Sequence, residues 1–225
     1  MSTTGIARGN TTRQTNKELR RQRILDIARN QIASGGFEAF TLKDLAAAAE
    51  VTVPTIHNLF GKKLDIFREL CEEMVERIEQ VLSSPDMSDP IEAIEAFVDS
   101  LLGLYRDDEA FYRAAFVAGE RTGLFGQDLP AGIYSKSLKI AEQLCRQAHE
   151  NGYLKGSIDT GFLAEQLFGC QRLARHDWVG GYIDLDRYRS QVLTGMLLTY
   201  AADATPTFHK RLCARIDALL GDARR

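Results

Sequence analysis

Residues 36–67 read GFEAFTLKDLAAAAEVTVPTIHNLFGKKLDIF, and two short helical patterns separated by a tight break lie inside them. Thr41 opens the first, with Leu45, Ala46 and Ala49 as its inner face. A Thr side chain at such a start accepts a hydrogen bond from a backbone N–H that the helix leaves unpaired. Thr52 is the equivalent residue of the second helix, and Pro54 in its first turn removes no intrahelical bond. That helix runs to about Leu59 before Gly61. Ile56, Leu59 and Phe60 are left for the core, while Val53, Thr55 and Asn58 face outward and are small enough for a groove.

Working upstream, Thr15 and Glu18 have the spacing of a capping box, so a longer helix is expected to open at Thr15. Ile24, Ile27, Ala28 and Ile32 recur at helical intervals until Gly35-Gly36 stop the pattern, with Phe37 and Phe40 as anchors. Residues 1–14 nearly lack large apolar groups and read as a disordered basic arm, because nothing there offsets the entropy of ordering. Two short helices packed on a longer first one have the layout of a helix-turn-helix module. Such a module holds phosphates with hydroxyls, cations and helix N-termini. Thr41, Thr52, Lys62 and Lys63 stand at helix starts, and Arg13, Lys17, Arg20, Arg21 and Arg23 can reach the backbone or a minor groove.

The whole-chain charge argues the other way. The 225 residues carry a formal net charge of −3, with 44% hydrophobic and 26% charged residues. Evenly spread, that charge would disfavour a nucleic-acid partner, but the distribution is lopsided. Residues 1–65 hold ten basic and six acidic side chains, and the acidic excess lies wholly beyond them. Such asymmetry points to an anionic contact made by one end.

Downstream, Ile66, Phe67, Leu70, Cys71, Met74, Val75, Ile78 and Val81 trace one long amphipathic stripe. The polar stretch 83–90 interrupts it and is the expected domain boundary, with Asp89-Pro90 as cap and first residue of the next helix. Helices are expected over about 90–105, 108–119, 131–151, 160–179, 186–202 and 206–220, and no alternating strand pattern occurs. The expectation is an all-α chain: an arm at 1–14, a three-helix DNA-binding domain at 15–62, a connecting helix at 63–84, and a helical bundle at 85–225, to which the resemblance given below adds ligand binding and dimerisation.

The segment 36–67 resembles the DNA-binding signature of the tetracycline-repressor (TetR) family. Its landmarks fall on Gly36-Phe37, Thr41, Ala46 and Ala49, Val51-Thr52, Thr55-Ile56, Phe60 and Lys63 without a gap. The resemblance implies that Thr41, Thr52, His57 and Lys63 hold phosphates, and that Val53, Pro54, Thr55 and Asn58 read bases. Two residues depart from the pattern. Glu50 stands where the family usually has Gly, at a cost of about 1 kcal/mol if φ is positive. His57 replaces the usual Tyr, which makes its phosphate contact sensitive to pH.

The family's remaining part is a helical sensing and dimerising domain, and the segment 149–154 with Asp159 is similar to the usual entry into its dimerising helices. The last long helices have apolar stripes on more than one side, which fits a four-helix interface with a second copy. Its candidates are Phe162, Leu167, Leu173, Val192, Leu193, Met196, Leu197 and Tyr200; burial inside one chain is the alternative. A mostly apolar effector pocket would draw on Phe97, Leu101, Tyr105, Phe111, Tyr112, Phe116, Phe125, Ile133, Tyr134, Phe168 and Trp178, with the stretch 123–132 as entrance or connector. A filled core is the rival reading for each of them.

Catalysis has no support: the four histidines have no ligand spacing, and no phosphate loop or nucleophile elbow occurs. No metal and no cofactor are expected. The four scattered cysteines suit reduced thiols, and the first 30 residues lack the apolar segment of a secretion signal, so the expected location is the cytoplasm with no membrane partner. The expected function is that of a homodimeric, ligand-responsive repressor on a palindromic double-stranded operator, its effector a small apolar or amphipathic molecule. An architectural DNA binder without ligand, or a helical small-molecule-binding protein with impaired DNA binding, are the alternatives.

Overall fold

The computed structural model describes residues 5–82, 89–125 and 133–222, with side chains omitted for 5–14, 81–82, 133 and 222. Ten helices lie among the described residues: α1 (Gly5–Ala39), α2 (Leu42–Ala48), α3 (Val53–Phe60), α4 (Lys63–Leu82), α5 (Pro90–Asp107), α6 (Glu109–Arg121), α7 (Ile133–Glu150), α8 (Thr160–Val179), α9 (Leu185–Asp203) and α10 (Pro206–Asp222). The only extended pairing among them is one isolated bridge, Leu154 to Ala204. The chain is all-α, and no helix among the described residues is long and apolar enough to cross a membrane.

One end differs from the reading of the sequence. α1 starts at Gly5, ten residues before Thr15, so residues 5–14 are helical rather than a disordered arm; residues 1–4 lie outside the described residues. Burial starts a helix, but once it is nucleated each added residue gains a backbone hydrogen bond, so a polar segment can extend it. At the other end Gly36 takes φ 77° and ψ 164°, which breaks the helical path before the last turn, Phe37–Ala39.

The chain divides into two compact units. The head is the chain up to Met74 together with Ala110–Gly119, and the body is Val75–Glu109 with the chain from Glu120 onward. The division therefore falls inside α4 and not at 83–90, of which 83–88 lie outside the described residues. The reason is packing that a local polarity scan does not register. Ile66, Phe67, Leu70, Cys71 and Met74 of α4 are buried, as are Phe111, Tyr112, Ala115 and Phe116 of α6, and all of these belong to the head.

Ile24, Leu25, Ala28 and Ile32 of α1 meet Leu45 and Ala46 of α2 and Ile56 of α3 in the head core, each at most 3% exposed. The ring of Phe37 lies 4.6 Å from that of Phe67, and the Arg29 guanidinium sits 4.2 Å over the ring of Phe111.

In the body α7 packs on α8, α8 on α9, and α9 on both α5 and α10. Trp178 stacks on Tyr105 at 4.9 Å and meets Tyr188 edge-on, and its indole N–H donates to Glu109 at 3.1 Å. Aspartates cap the helices here: Asp89 accepts from the N–H groups of Ile91 and Glu92, Asp159 from Phe162 and Asp184 from Arg187. Asp203, 1% exposed, ties the α7–α8 connection to the end of α9. Its carboxylate accepts from the N–H groups of Gly156 and Ser157, and its carbonyl from Lys155. Burial pushes the thiols of Cys71 and Cys145 up to about 12, so both serve as small apolar side chains.

Candidate functional site

Thr41 and Thr52 shape the surface of the head by starting α2 and α3 there. Thr41 accepts from the Asp44 N–H at 3.1 Å while its hydroxyl donates to the Asp44 carboxylate at 2.6 Å. Thr52 accepts from the Thr55 N–H at 3.4 Å, and the two hydroxyls lie 2.9 Å apart. On α3 Ile56 is fully buried, Leu59 and Phe60 are half-buried, and Pro54, His57 and Asn58 are exposed beside half-buried Val53 and Thr55. Arg20 and Arg23 of α1 line an open hollow with Glu50, Val51, Thr52 and Thr55, so cations and hydroxyls converge beside the start of α3.

Glu50 has φ 55°, and it is the only non-glycine residue with positive φ among the described residues. The Glu50 N–H donates to the Ala47 carbonyl and the Val51 N–H to that of Ala46. These two bonds form a Schellman motif with Glu50 at the left-handed position where glycine is favoured. The tight break between α2 and α3 is thus made without the residue that makes it easily.

The cations divide into two groups. Lys17, Arg20, Arg23 and Lys62 are exposed. The side chain of Arg13 lies outside the described residues. Arg21 leaves the phosphate set: it pairs with both oxygens of Glu69, donates to the Leu59 carbonyl and lies 4.3 Å over the ring of Phe60. Its partner stands 48 residues away, a distance over which spacing carries no signal. Lys63 is committed within the head as well, donating to the Glu38 carbonyl at 3.1 Å with its ammonium 4.5 Å from the centroid of Phe37. At the start of α4 Asp65 accepts from the Lys62 N–H and pairs with Arg68, and those bonds hold its carboxyl below the usual range.

The body contains a cavity of about 20 Å³. Of the expected pocket residues Phe97, Leu101, Tyr105 and Phe168 line it. Phe111, Tyr112 and Phe116 do not; they are buried in the head, where α6 turns its apolar face. Trp178 is fully buried against Tyr105, Tyr134 packs edge-on against Phe168, and Phe125 is half-buried away from the lining. Ile133 begins α7 with its side chain outside those described, and 126–132 of the expected entrance lie outside the described residues. The sequence reading missed Ser137, Ile140, Ala141, Leu144, Gln171 and Arg175 on the wall.

The expected dimer residues also separate. Leu167, Val192, Leu193, Met196, Leu197 and Tyr200 are at most 4% exposed within the body itself, and Leu167 and Met196 line the cavity. α8 lies between α7 and α9, so the apolar sides that face those two helices are covered within the same chain. Phe162 and Leu173 of α8 remain 55% and 59% exposed, and Leu198 of α9, absent from the expected set, is 54% exposed.

Against known proteins, residues 24–70 match the family described as "Bacterial regulatory proteins, tetR family". The chain is 28% identical over 206 residues to the HTH-type transcriptional repressor KstR of Rhodococcus jostii (strain RHA1), covering 92% of this chain and 85% of that protein. It is 25% identical over 209 residues to the HTH-type nicotine-responsive transcriptional repressor HdnoR of Paenarthrobacter nicotinovorans, covering 89% and 94%. Among solved structures, SmeT, the repressor of the Stenotrophomonas maltophilia multidrug efflux pump SmeDEF, shares the fold. It superposes with a TM-score of 0.65 at 19% identity, covering 83% of this chain and 91% of that one.

Proposed function

The chain is a TetR-family regulator, with that family's DNA-binding domain at 24–70, and from that premise we propose that it is a ligand-responsive repressor binding a palindromic operator as a dimer. The observation that carries this reading is the surface beside α3. A threonine-capped N-terminus, the exposed edge Pro54, His57 and Asn58, and the cations Arg20 and Arg23 converge there. Thr41, Thr52, Lys17, Arg20, Arg23 and Lys62 hold phosphates, and Val53, Pro54, Thr55 and Asn58 face base edges. Lys63 contributes by fixing Phe37 and the end of α1 against α4.

One such head reads too few base pairs for operator-level selectivity, so two copies bind half-sites about 34–36 Å apart or wider. Phe162, Leu173 and Leu198 are the apolar surface offered to the second copy, and large exposed side chains of this kind on adjacent helices are a common mark of an association site. The effector binds in the body and releases the operator by favouring a conformation that the duplex does not. Relatives named as repressors, one of them nicotine-responsive, support the regulatory role without naming this chain's ligand.

Selection from a random duplex pool tests the reading. A palindrome bound at least about a thousandfold tighter than random duplex is expected, with affinity falling as salt rises. Asn58→Ala is expected to relax the choice at one position of each half-site, by about 1–3 kcal/mol of discrimination. Salt-dependent binding without sequence preference would instead favour an architectural binder.

A further inference from the structure

The larger polar side chains of the body cavity's wall gather on one part of it. Along α8 its wall runs from Leu167 and Phe168 to Gln171 and then Arg175, a span of about 12 Å at the helical rise. Along α5 it runs from Phe97 through Leu101 to Tyr105 at four-residue intervals, all on one helical face. The stack of Tyr105 on Trp178 sets the C-terminal part of α5 beside that of α8. Tyr105, Gln171 and Arg175 therefore gather at one end, and Phe97 and Leu167 mark the other. Ile140, Ala141, Leu144 and Met196 complete apolar walls, with Ser137 as the remaining small polar residue.

Gln171 is the anomaly. It is 6% exposed, and its Nε2 donates to the hydroxyl of fully buried Tyr188 at 3.2 Å. Its Oε1 is buried and accepts no hydrogen bond among the described residues. A carbonyl left so carries a desolvation penalty that a leucine at this point of the wall would avoid. Arg175, one turn further along α8, acts electrostatically on the same Tyr188 hydroxyl. A guanidinium has five N–H donors, enough to serve a ligand besides its present partners.

We propose, building on the ligand-responsive reading above, that Gln171 selects the effector's chemical class: a mainly apolar molecule carrying one neutral hydroxyl, whose O–H donates to Gln171 Oε1 and whose oxygen accepts from Arg175. A carboxylate has no hydrogen to give and turns lone pairs toward Oε1. A hydrocarbon leaves Oε1 unpaired. A hydroxyl satisfies both neighbours. The cavity as it stands admits about one water, so the effector enters by parting its walls, and the unbranched side chain of Met196 is suited to adapt. Occupancy thereby selects an opened body, which is what an effector must do to act on anything else.

The test titrates the full chain with 4-phenyl-1-butanol, 4-phenylbutanoate and butylbenzene, three probes that share a skeleton. Trp178, the single tryptophan, stacks on a residue of the polar end and reports binding by its fluorescence. The alcohol is expected to bind at least about tenfold tighter than either of the others. Gln171→Leu is expected to abolish that preference while butylbenzene binds the variant at least as tightly as the parent, which also shows that the variant is folded. Equal binding of alcohol and butylbenzene by the parent overturns the proposal, as does a preference for the carboxylate or no binding of any probe. Release of a selected operator, read in parallel, judges the regulatory reading separately. A hydroxyl-selective cavity that never releases DNA would remove that reading and leave the ligand chemistry in place.

Discussion

Head and body cap their helices with different chemistry. In the body Asp89, Asp159 and Asp184 put carboxylates at the starts of α5, α8 and α9. In the head neutral hydroxyls, Thr41 and Thr52, start α2 and α3. Both kinds satisfy orphan N–H groups about equally well, so stability alone does not choose between them. They differ in what they leave behind. A carboxylate cancels the positive end of the helix, whereas a hydroxyl leaves it open to an outside anion. Within the head the distinction sharpens further, because α2 and α4 carry Asp44 and Asp65 in their first turns and α3 carries no acid there. Among α2, α3 and α4, the helix whose side chains face the proposed duplex is the one with no acid in its first turn.

If this contrast governs function, a change in the body should break folding and spare recognition. Asp203→Ala leaves the N–H groups of Gly156 and Ser157 without their buried acceptor. The expected loss is about 3 kcal/mol in a denaturant melt, with an unchanged sequence preference in whatever fraction stays folded. The reverse is expected in the head. Thr52→Asp keeps a good cap, so the melt should move little, but it sets a carboxylate where a phosphate is to bind. Operator affinity should fall about a hundredfold, the equivalent of nearly 3 kcal/mol. Retained affinity in an anisotropy titration would mean that the start of α3 does not meet the backbone.

The two regions also differed in how far residue order revealed them. Thr41, Thr52, Pro54 and Ile56 act through neighbours three or four positions away, and a one-dimensional pattern records such contacts directly. Arg21 does not: its exposure-prone spacing hid an ion pair with Glu69 that only the tertiary fold brings together. In the body nearly every boundary was readable from Gly, Pro and Asp positions, yet the assignment of apolar stripes was not. Val192, Leu193 and Leu197 fill the interior of their own unit because α9 has α5, α8 and α10 around it. Periodicity reveals that a face is apolar, and only packing reveals what covers it. Gln171 offered one usable signal, a polar side chain four residues beyond apolar Leu167 on the same face of α8, and its meaning depended on a cavity that spacing cannot show.

A smaller effect tests the break between α2 and α3. Glu50 adopts φ 55° and lines the hollow shared with Arg20 and Arg23. Glu50→Gly removes the cost of a side chain in the left-handed region, for a net gain of about 1 kcal/mol in stability. It also takes a negative charge away from the proposed phosphate path, so affinity should rise by about threefold to tenfold at low salt and by less at high salt. A gain in stability without a gain in affinity would place Glu50 outside the duplex's reach and weaken the assignment of Arg20 and Arg23.

The smallest expected effect concerns the charge of a body cap. Burial on its own would raise the Asp89 carboxyl, but the Arg211 guanidinium and the N–H groups of Glu92 and Ile91 outweigh it and hold the carboxyl below its ordinary value. A depressed folded value means that this stabilisation is fully present above the unfolded carboxyl range and disappears as pH falls through the folded one. Asp89→Asn retains a competent cap and removes only the charge, so the cost at pH 7 should be about 0.5 kcal/mol, set by the partly exposed pair with Arg211. Melts of both proteins should begin to converge below about pH 4 and meet only below the depressed folded value, where the parent's own carboxyl has taken up its proton. The equivalent change in the head, Thr52→Asn, alters no charge and should show no such convergence. A pH-independent gap for Asp89→Asn would mean that the carboxylate's charge contributes nothing to the body, and the contrast between charged and neutral caps would then rest on the head alone.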